Sequence, residues 1–93
     1  MLLEWDERKA ELNYRKHGVS FEEAATALDD EFAATLPDPD HSSDEDRFVT
    51  FGISSRGRLL VVALTIRGTN VRRISASKAT ARERRIYEEK GIF

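Results

Sequence analysis

The residues best suited to do chemistry cluster in one stretch, RLLVVALTIRGTNVRRISASKAT, residues 58–80. It carries Arg67, Arg72, Arg73 and Lys78. Guanidinium groups hold phosphate oxygens in a planar, bidentate way, so arginines fixed on a rigid strand pair make a platform for phosphate. Read without a ligand, the same arginines are solvated strand ends. Lys16 and His17 add an ammonium and an imidazole at the end of a predicted helix. A histidine titrates close to neutral pH and can supply or accept a proton. Lys16 or Lys78, if buried or flanked by cations, is the substitute. His17 fits equally well as a helix-end histidine that satisfies the last carbonyls.

The composition removes most other chemistries. The 93 residues include no cysteine and two histidines, short of the three or four spaced ligands that zinc requires. The acidic loop PDPDHSSDED lacks the spacing of a calcium loop. No phosphate-binding glycine pattern and no nucleophile elbow is present, so no cofactor is expected. What remains is a metal-free site of Arg, Lys, His and Glu. Such groups suffice for cleavage of RNA by the adjacent ribose hydroxyl, which needs a base, an acid and cations to hold the charge developing on the phosphorus oxygens.

The elements that must position these groups follow from local signals. Leu2 to Trp5 is a short apolar segment, and Asp6 is placed to cap a helix reaching about His17, with Gly18 as its stop. On that helix Lys9, Asn13, Lys16 and His17 share one face, with Leu12 nearer the other. Ser20 and Glu23 form a capping box for a second helix whose buried stripe is Phe21, Ala24, Ala25 and Leu28, ended by Asp29, Asp30 and Glu31. Ala33 to Leu36 reads as a short strand, after which Pro37 and Pro39 force the chain into an acidic, mobile loop. Arg47 to Ile53 alternates as a strand, with Arg47, Val49, Phe51 and Ile53 on one face, and turns at Ser55-Arg56-Gly57. Leu59 to Ile66, apolar except for Thr65, reads as the central strand. Val71 to Ala76 completes a hairpin, and Thr80 with Glu83 caps a last helix to about Lys90. The order strand, helix, helix, four strands, helix implies an α+β domain: a small, mainly antiparallel sheet with helices packed on one face and a partly open face opposite.

Charge is distributed unevenly along the chain. Residues 1–55 hold 5 basic and 14 acidic side chains, a balance of −9, whereas residues 56–93 hold 10 and 3, a balance of +7. The basic half suits a phosphate-rich ligand, and the acidic half shields it or faces a basic partner. Alternatively the two halves pair with each other in the fold. The length suits one domain, residues 1–93, able to bury roughly 60 to 70 % of its unfolded surface without disulfides. The N-terminus lacks the apolar stretch of a signal peptide and no run is long enough to span a membrane, which fits a cytoplasmic protein.

The segments WDERKAELNYRKHGVSFEEA, LDD, LPDPDHSSDEDRFVTFGISSRGRLLVV and RISASKATARERRIYE closely resemble the BrnT family, toxins of bacterial type II toxin–antitoxin systems. The resemblance runs from Trp5 to about Glu88, and KHGVSFEEA and ISxxKAT are its most specific parts. It implies a RelE-like ribonuclease fold and RNA cleavage that halts translation, with or without the ribosome. It also implies a BrnA-type antitoxin that neutralises the toxin by binding it, with DNA contacted only through that antitoxin. By position, Lys16 and His17 match the family's KHG, Arg47 its RF, Arg67 the arginine ending the central strand and Glu83 the start of the last helix. Ser77 and Lys78 complete the candidate catalytic set, and Arg56, Arg58, Arg72, Arg73 and Arg82 the RNA contacts. The chain departs from the family where an arginine usually follows I-S-A, at Ser77, and where a histidine and a glutamate are frequent, at Leu64 and Ile66. Either Lys78 or Arg67 covers the missing arginine, or the protein is an attenuated or inactive member.

A non-catalytic module that holds RNA or a protein on the same basic sheet is the alternative. The hairpin from Arg67 to Lys78 offers no aromatic for base stacking, which counts against a sequence-specific RNA reader. A DNA-binding repressor has no helix-turn-helix or ribbon-helix-helix arrangement to rest on.

Overall fold

The computed structural model describes residues 2–38, 46–67 and 70–91, with the side chains of residues 2, 3, 46, 67, 70, 72–74, 90 and 91 outside that description. The elements are β1 (Leu2–Glu4), α1 (Glu7–His17), α2 (Phe21–Leu28), β2 (Ala34–Pro37), β3 (Asp46–Ile53), β4 (Leu59–Arg67), β5 (Asn70–Lys78) and α3 (Ala81–Gly91). Their order is the one the sequence predicts, in an α+β arrangement. They build a five-stranded sheet in the order β1-β5-β4-β3-β2. β1 runs parallel to β5 and every other pair is antiparallel. β4, the most apolar stretch, is central.

The local signals explain where the elements begin and end. Asp6 accepts from the Arg8 amide at 2.8 Å and so satisfies one orphan N–H at the start of α1. Gly18 closes the helix in the left-handed region (φ 71°), donating its N–H to Tyr14 O at 2.8 Å. Thr80 and Glu83 form a complete reciprocal box at α3: the Thr80 amide donates to Glu83 Oε1 at 2.8 Å and the Glu83 amide to Thr80 Oγ1 at 3.2 Å. At α2 only half of the expected box exists. Ser20 Oγ accepts from the Glu23 amide at 3.0 Å, but the Glu23 carboxylate turns inward to other partners.

The core lies between the sheet and the α1–α2 layer. Val19, Phe21, Ala24 and Ala27 meet Leu60, Val62, Leu64, Val71 and Ala76, all buried. Ala27 takes a place in the α2 stripe that the sequence gives to Ala25 and Leu28, both of which are half-buried. Close packing of α2 on β3 depends on Gly52, where a Cβ would stand 2.2 Å from Ala27 O. No side chain fits there.

Three expectations are corrected. The edge strand is Ala34–Pro37, so Pro37 belongs to the ladder, opposite Phe48, and the Asp38 amide still donates to Arg47 O at 3.0 Å. A proline is tolerated because β2 is an outer strand and the missing donor faces away from β3. Asn13 is buried rather than on a solvated face. Its Nδ2 donates to Val19 O (3.0 Å) and Ala76 O (2.9 Å), and its Oδ1 accepts from the Ala76 amide (3.0 Å), so one side chain caps the outer edge of β5 as a neighbouring strand would. Leu12, 58 % exposed, lines the same groove as Lys9, Lys16 and His17. The layer of helices on one face consists of α1 and α2. α3 takes a different place, against Val49 and Phe51 at the β2–β3 corner of the opposite face, because those side chains point away from the core and are apolar. The acidic loop at residues 39–45 and the hairpin turn at 68–69 lie outside the described residues.

Candidate nucleic-acid interface

The sheet face opposite the α1–α2 layer is only partly covered, and the strand register orders it into rows. Arg47, Thr65 and Arg72 stand side by side on β3, β4 and β5; Phe51, Val61 and Ser77 do the same farther along. The described flank of the first row is Arg47, half-buried. The middle residue, Thr65, is 1 % exposed, and Thr65 Oγ1 has no hydrogen-bond partner among the described residues. The second row is apolar at Phe51 and Val61 and ends at half-buried Ser77 on β5. α3 borders it through a groove of about 500 Å³ lined by Leu36, Val49, Phe51, Arg82, Glu83 and Ile86.

These rows do not converge on one point. Four residue steps along β4 lead from Thr65 to Val61, roughly 13 Å at the rise of a strand, so Arg47 and a residue at position 77 start from well-separated backbone positions. Lys78 does not stand in for an arginine at 77. It is exposed and opposite Leu60, a core residue, so it points to the other face of the sheet. The backbone of Arg67, Arg72 and Arg73 sits in the hairpin as expected, while their side chains lie outside the described residues. Leu64, 8 % exposed, is part of the core, and Ile66 packs against it. The two positions where the family frequently carries a histidine and a glutamate therefore face inward here.

Lys16 and His17 lie apart from that face, in a groove of about 240 Å³ between α1 and β5, with Lys9, Leu12, Asn13 and Ser75. Lys9 and Lys16 are exposed, His17 half-buried. Glu83 is held by the capping box, while Arg82 beside it is exposed on the rim of the α3 groove.

Arg58 is engaged within the fold. Its Nε donates to Glu23 Oε2 at 2.9 Å, its Nη2 to Glu23 Oε1 and to Gly18 O, the latter at 3.1 Å. Ser54 Oγ donates to the same carboxylate at 2.7 Å. This ion pair clamps the β3–β4 turn to α2 and to the α1–α2 connection. Arg58 hydrogen bonding holds the Glu23 carboxyl down at about 2, against the opposing effect of burial and with help from Ser54 and Arg56. Arg56 is only loosely engaged, 4.0 Å from Glu23 and 72 % exposed, and is free to meet a ligand. A second clamp is Asp30, which accepts from the Phe32 amide (3.0 Å), the Ile53 amide (2.8 Å) and Tyr87 Oη (2.7 Å). Burial alone would raise the Asp30 carboxyl, but the three donors outweigh it and leave it lowered. Burial and the Asp30 carboxylate push the Tyr87 hydroxyl up to about 12. Tyr87 thereby ties α3 to the end of α2.

Neither Asn13 nor the inward turn of Glu23 stands out in the sequence as a structural centre. The available signals are weak: an asparagine inside a helix, and a glutamate between the buried Phe21 and Ala24. Among the described residues no three of His, Asp and Glu gather as a metal site would require, and no helix is long and apolar enough to cross a membrane.

None of the curated proteins matches the chain. Among solved structures, the Brucella abortus ribonuclease toxin BrnT is similar in fold, with a TM-score of 0.67 and 24 % sequence identity over 86 % of this chain and 99 % of that one. The sequence pattern of the family described as "Ribonuclease toxin, BrnT, of type II toxin-antitoxin system" covers residues 5–83. The two agree, and the chain belongs to the BrnT family of ribonuclease toxins of type II toxin–antitoxin systems.

Proposed function

We propose that this protein is the toxin of a type II pair, a metal-independent endoribonuclease that cleaves RNA, inhibits translation in the cytoplasm and is neutralised by a BrnA-type antitoxin. Family membership over residues 5–83 carries this reading. DNA is contacted only through the antitoxin. The sheet face with Arg47 in register with Arg72, and Arg82 on the rim of α3, is the surface that would receive the RNA. Cations there stabilise charge on the phosphorus oxygens while the ribose 2′-hydroxyl attacks. The rate is expected to be low. Serine at 77 removes a donor worth on the order of 3 kcal/mol in a transition state, and Leu64 and Ile66 offer no proton-transfer group. The test is incubation of the purified protein with end-labelled RNA, with and without EDTA. Slow cleavage that survives chelation and leaves cyclic phosphate or 3′-phosphate ends is the expected result. Products with 5′-phosphate ends, or activity abolished by EDTA, would contradict it.

Three observations favour a second reading, a non-catalytic module that binds RNA or protein. Leu64 lies in the core with Ile66 packed against it, Glu83 is held in a cap and Arg58 is locked onto Glu23. In that case no RNA is cut at any pH or salt concentration, although it is still bound.

A further inference from the structure

Helix α1 presents opposite charges to its two sides. Toward α2 it lines a groove with Glu7, Arg8 and Glu11, to which α2 adds Glu22. Toward β5 it lines the smaller groove with Lys9, Lys16 and His17. The helical period produces this separation: positions 7 and 11 share one stripe and positions 9, 13 and 16 another. Glu11 is occupied by Arg15 at 2.8 Å. Among the described residues Lys9, Lys16 and His17 make no ion pair and no hydrogen bond, so their donors are available.

We infer that the groove between α1 and the outer edge of β5 is a binding site for the phosphate backbone of RNA, with Lys9 and Lys16 as its two anchoring charges and His17 as a further donor. This rests on reading the protein as one that acts on RNA, and it gives Lys16 and His17 a binding task away from the open sheet face. Three points carry it. Lys9 and Lys16 are seven residues apart, about 10 Å along the helix axis, so they meet two different phosphates rather than one. The floor is held rigid, because Asn13 is bonded to Val19 and Ala76 and fixes α1 against the β5 edge. Leu12, 58 % exposed at the same groove, supplies an apolar contact for a sugar or base.

The probe is a short, fluorescently labelled 2′-O-methyl RNA, which cannot be cut because it lacks the attacking hydroxyl, so binding is read apart from cleavage. Replacing Lys9 and Lys16 together by glutamine (Lys9→Gln, Lys16→Gln) is expected to weaken binding about tenfold or more at low salt. The slope of log K against log salt should flatten by roughly 1.4, about 0.7 for each lysine, as single-stranded nucleic acid predicts. Arg8→Gln, the same change of charge on the acidic side of α1, should leave affinity and slope as they were. Both lysines are exposed, and circular dichroism controls for folding. Three results would overturn the inference: unchanged affinity and slope in the double variant, an equal loss in Arg8→Gln, or poly-glutamate binding as tightly as the RNA. A protein that cuts natural RNA yet binds the probe without regard to Lys9 and Lys16 sinks the groove and leaves the ribonuclease reading standing.

Discussion

The two faces of the sheet do different work with similar residue types. On the α1–α2 side, charge is spent on architecture: Arg58 is bound to a Glu23 carboxylate that is 5 % exposed, and Asn13 is sealed against the β5 edge. On the opposite side Arg47 and Arg72 are backbone register partners of Thr65, whose buried hydroxyl has no hydrogen-bond partner among the described residues. An arginine therefore cannot be assigned to phosphate by its type alone. Its register and nearest carboxylate matter, and in this chain they tie Arg58 to Glu23 and leave Arg56 and Arg82 exposed.

The sharpest way to break this contrast is to remove Arg58. Arg58→Ala leaves Glu23 buried without its cation, and a loss of about 3 kcal/mol in urea denaturation is expected, with RNA binding by the folded fraction nearly unchanged. A stable variant with reduced RNA affinity would move Arg58 back to the functional side. Acid tests the same clamp. The Glu23 carboxyl lies at about 2 in the folded protein against an ordinary value of 4.5, so the folded state releases its proton more readily. Its contribution, roughly 3 kcal/mol, is fully present above pH 4.5 and is lost as the pH falls toward 2. Denaturation midpoints between pH 5 and 2 measure it, and Glu23→Gln should flatten the slope.

A smaller effect separates core from site at position 64. Leu64→His puts a polar ring into the packed α1–α2 side, and a cost of about 2 kcal/mol is expected from lost packing and buried polarity. Gain of cleavage at little cost in stability would show instead that this side borders the reaction. The smallest change concerns Thr65. Thr65→Val removes a buried hydroxyl that makes no hydrogen bond among the described residues, so thermal stability should rise by about 1 kcal/mol or stay level. A clear loss would mean that the hydroxyl is partnered in solution.

Local chemistry made much of the fold legible. The Asp6 and Ser20 caps, the Gly18 stop and the Thr80–Glu83 box set helix ends through residues one to four positions apart, and the apolar run of β4 identified the centre of the sheet. The site was less legible because its decisive contacts join distant residues. Glu23 meets Arg58, Asn13 meets Ala76 and Asp30 meets Tyr87, each across more than thirty positions. No periodicity announces such pairs. The packing of α3 on the face opposite α1 and α2 was hidden for the same reason: Val49 and Phe51 read as one apolar stripe, without saying which helix would cover it.

The central claim is that the partly covered face opposite α1 and α2 is an RNA-cleaving surface weakened by the serine on β5. Comparing the cleavage rate of the protein with that of Ser77→Arg on one end-labelled RNA tests it directly. A guanidinium on the half-buried strand end at 77 can make two charge-assisted bonds to phosphate, and a gain of about tenfold or more is expected in two equally folded proteins. Equal rates would contradict the account and place the functional surface elsewhere on the molecule.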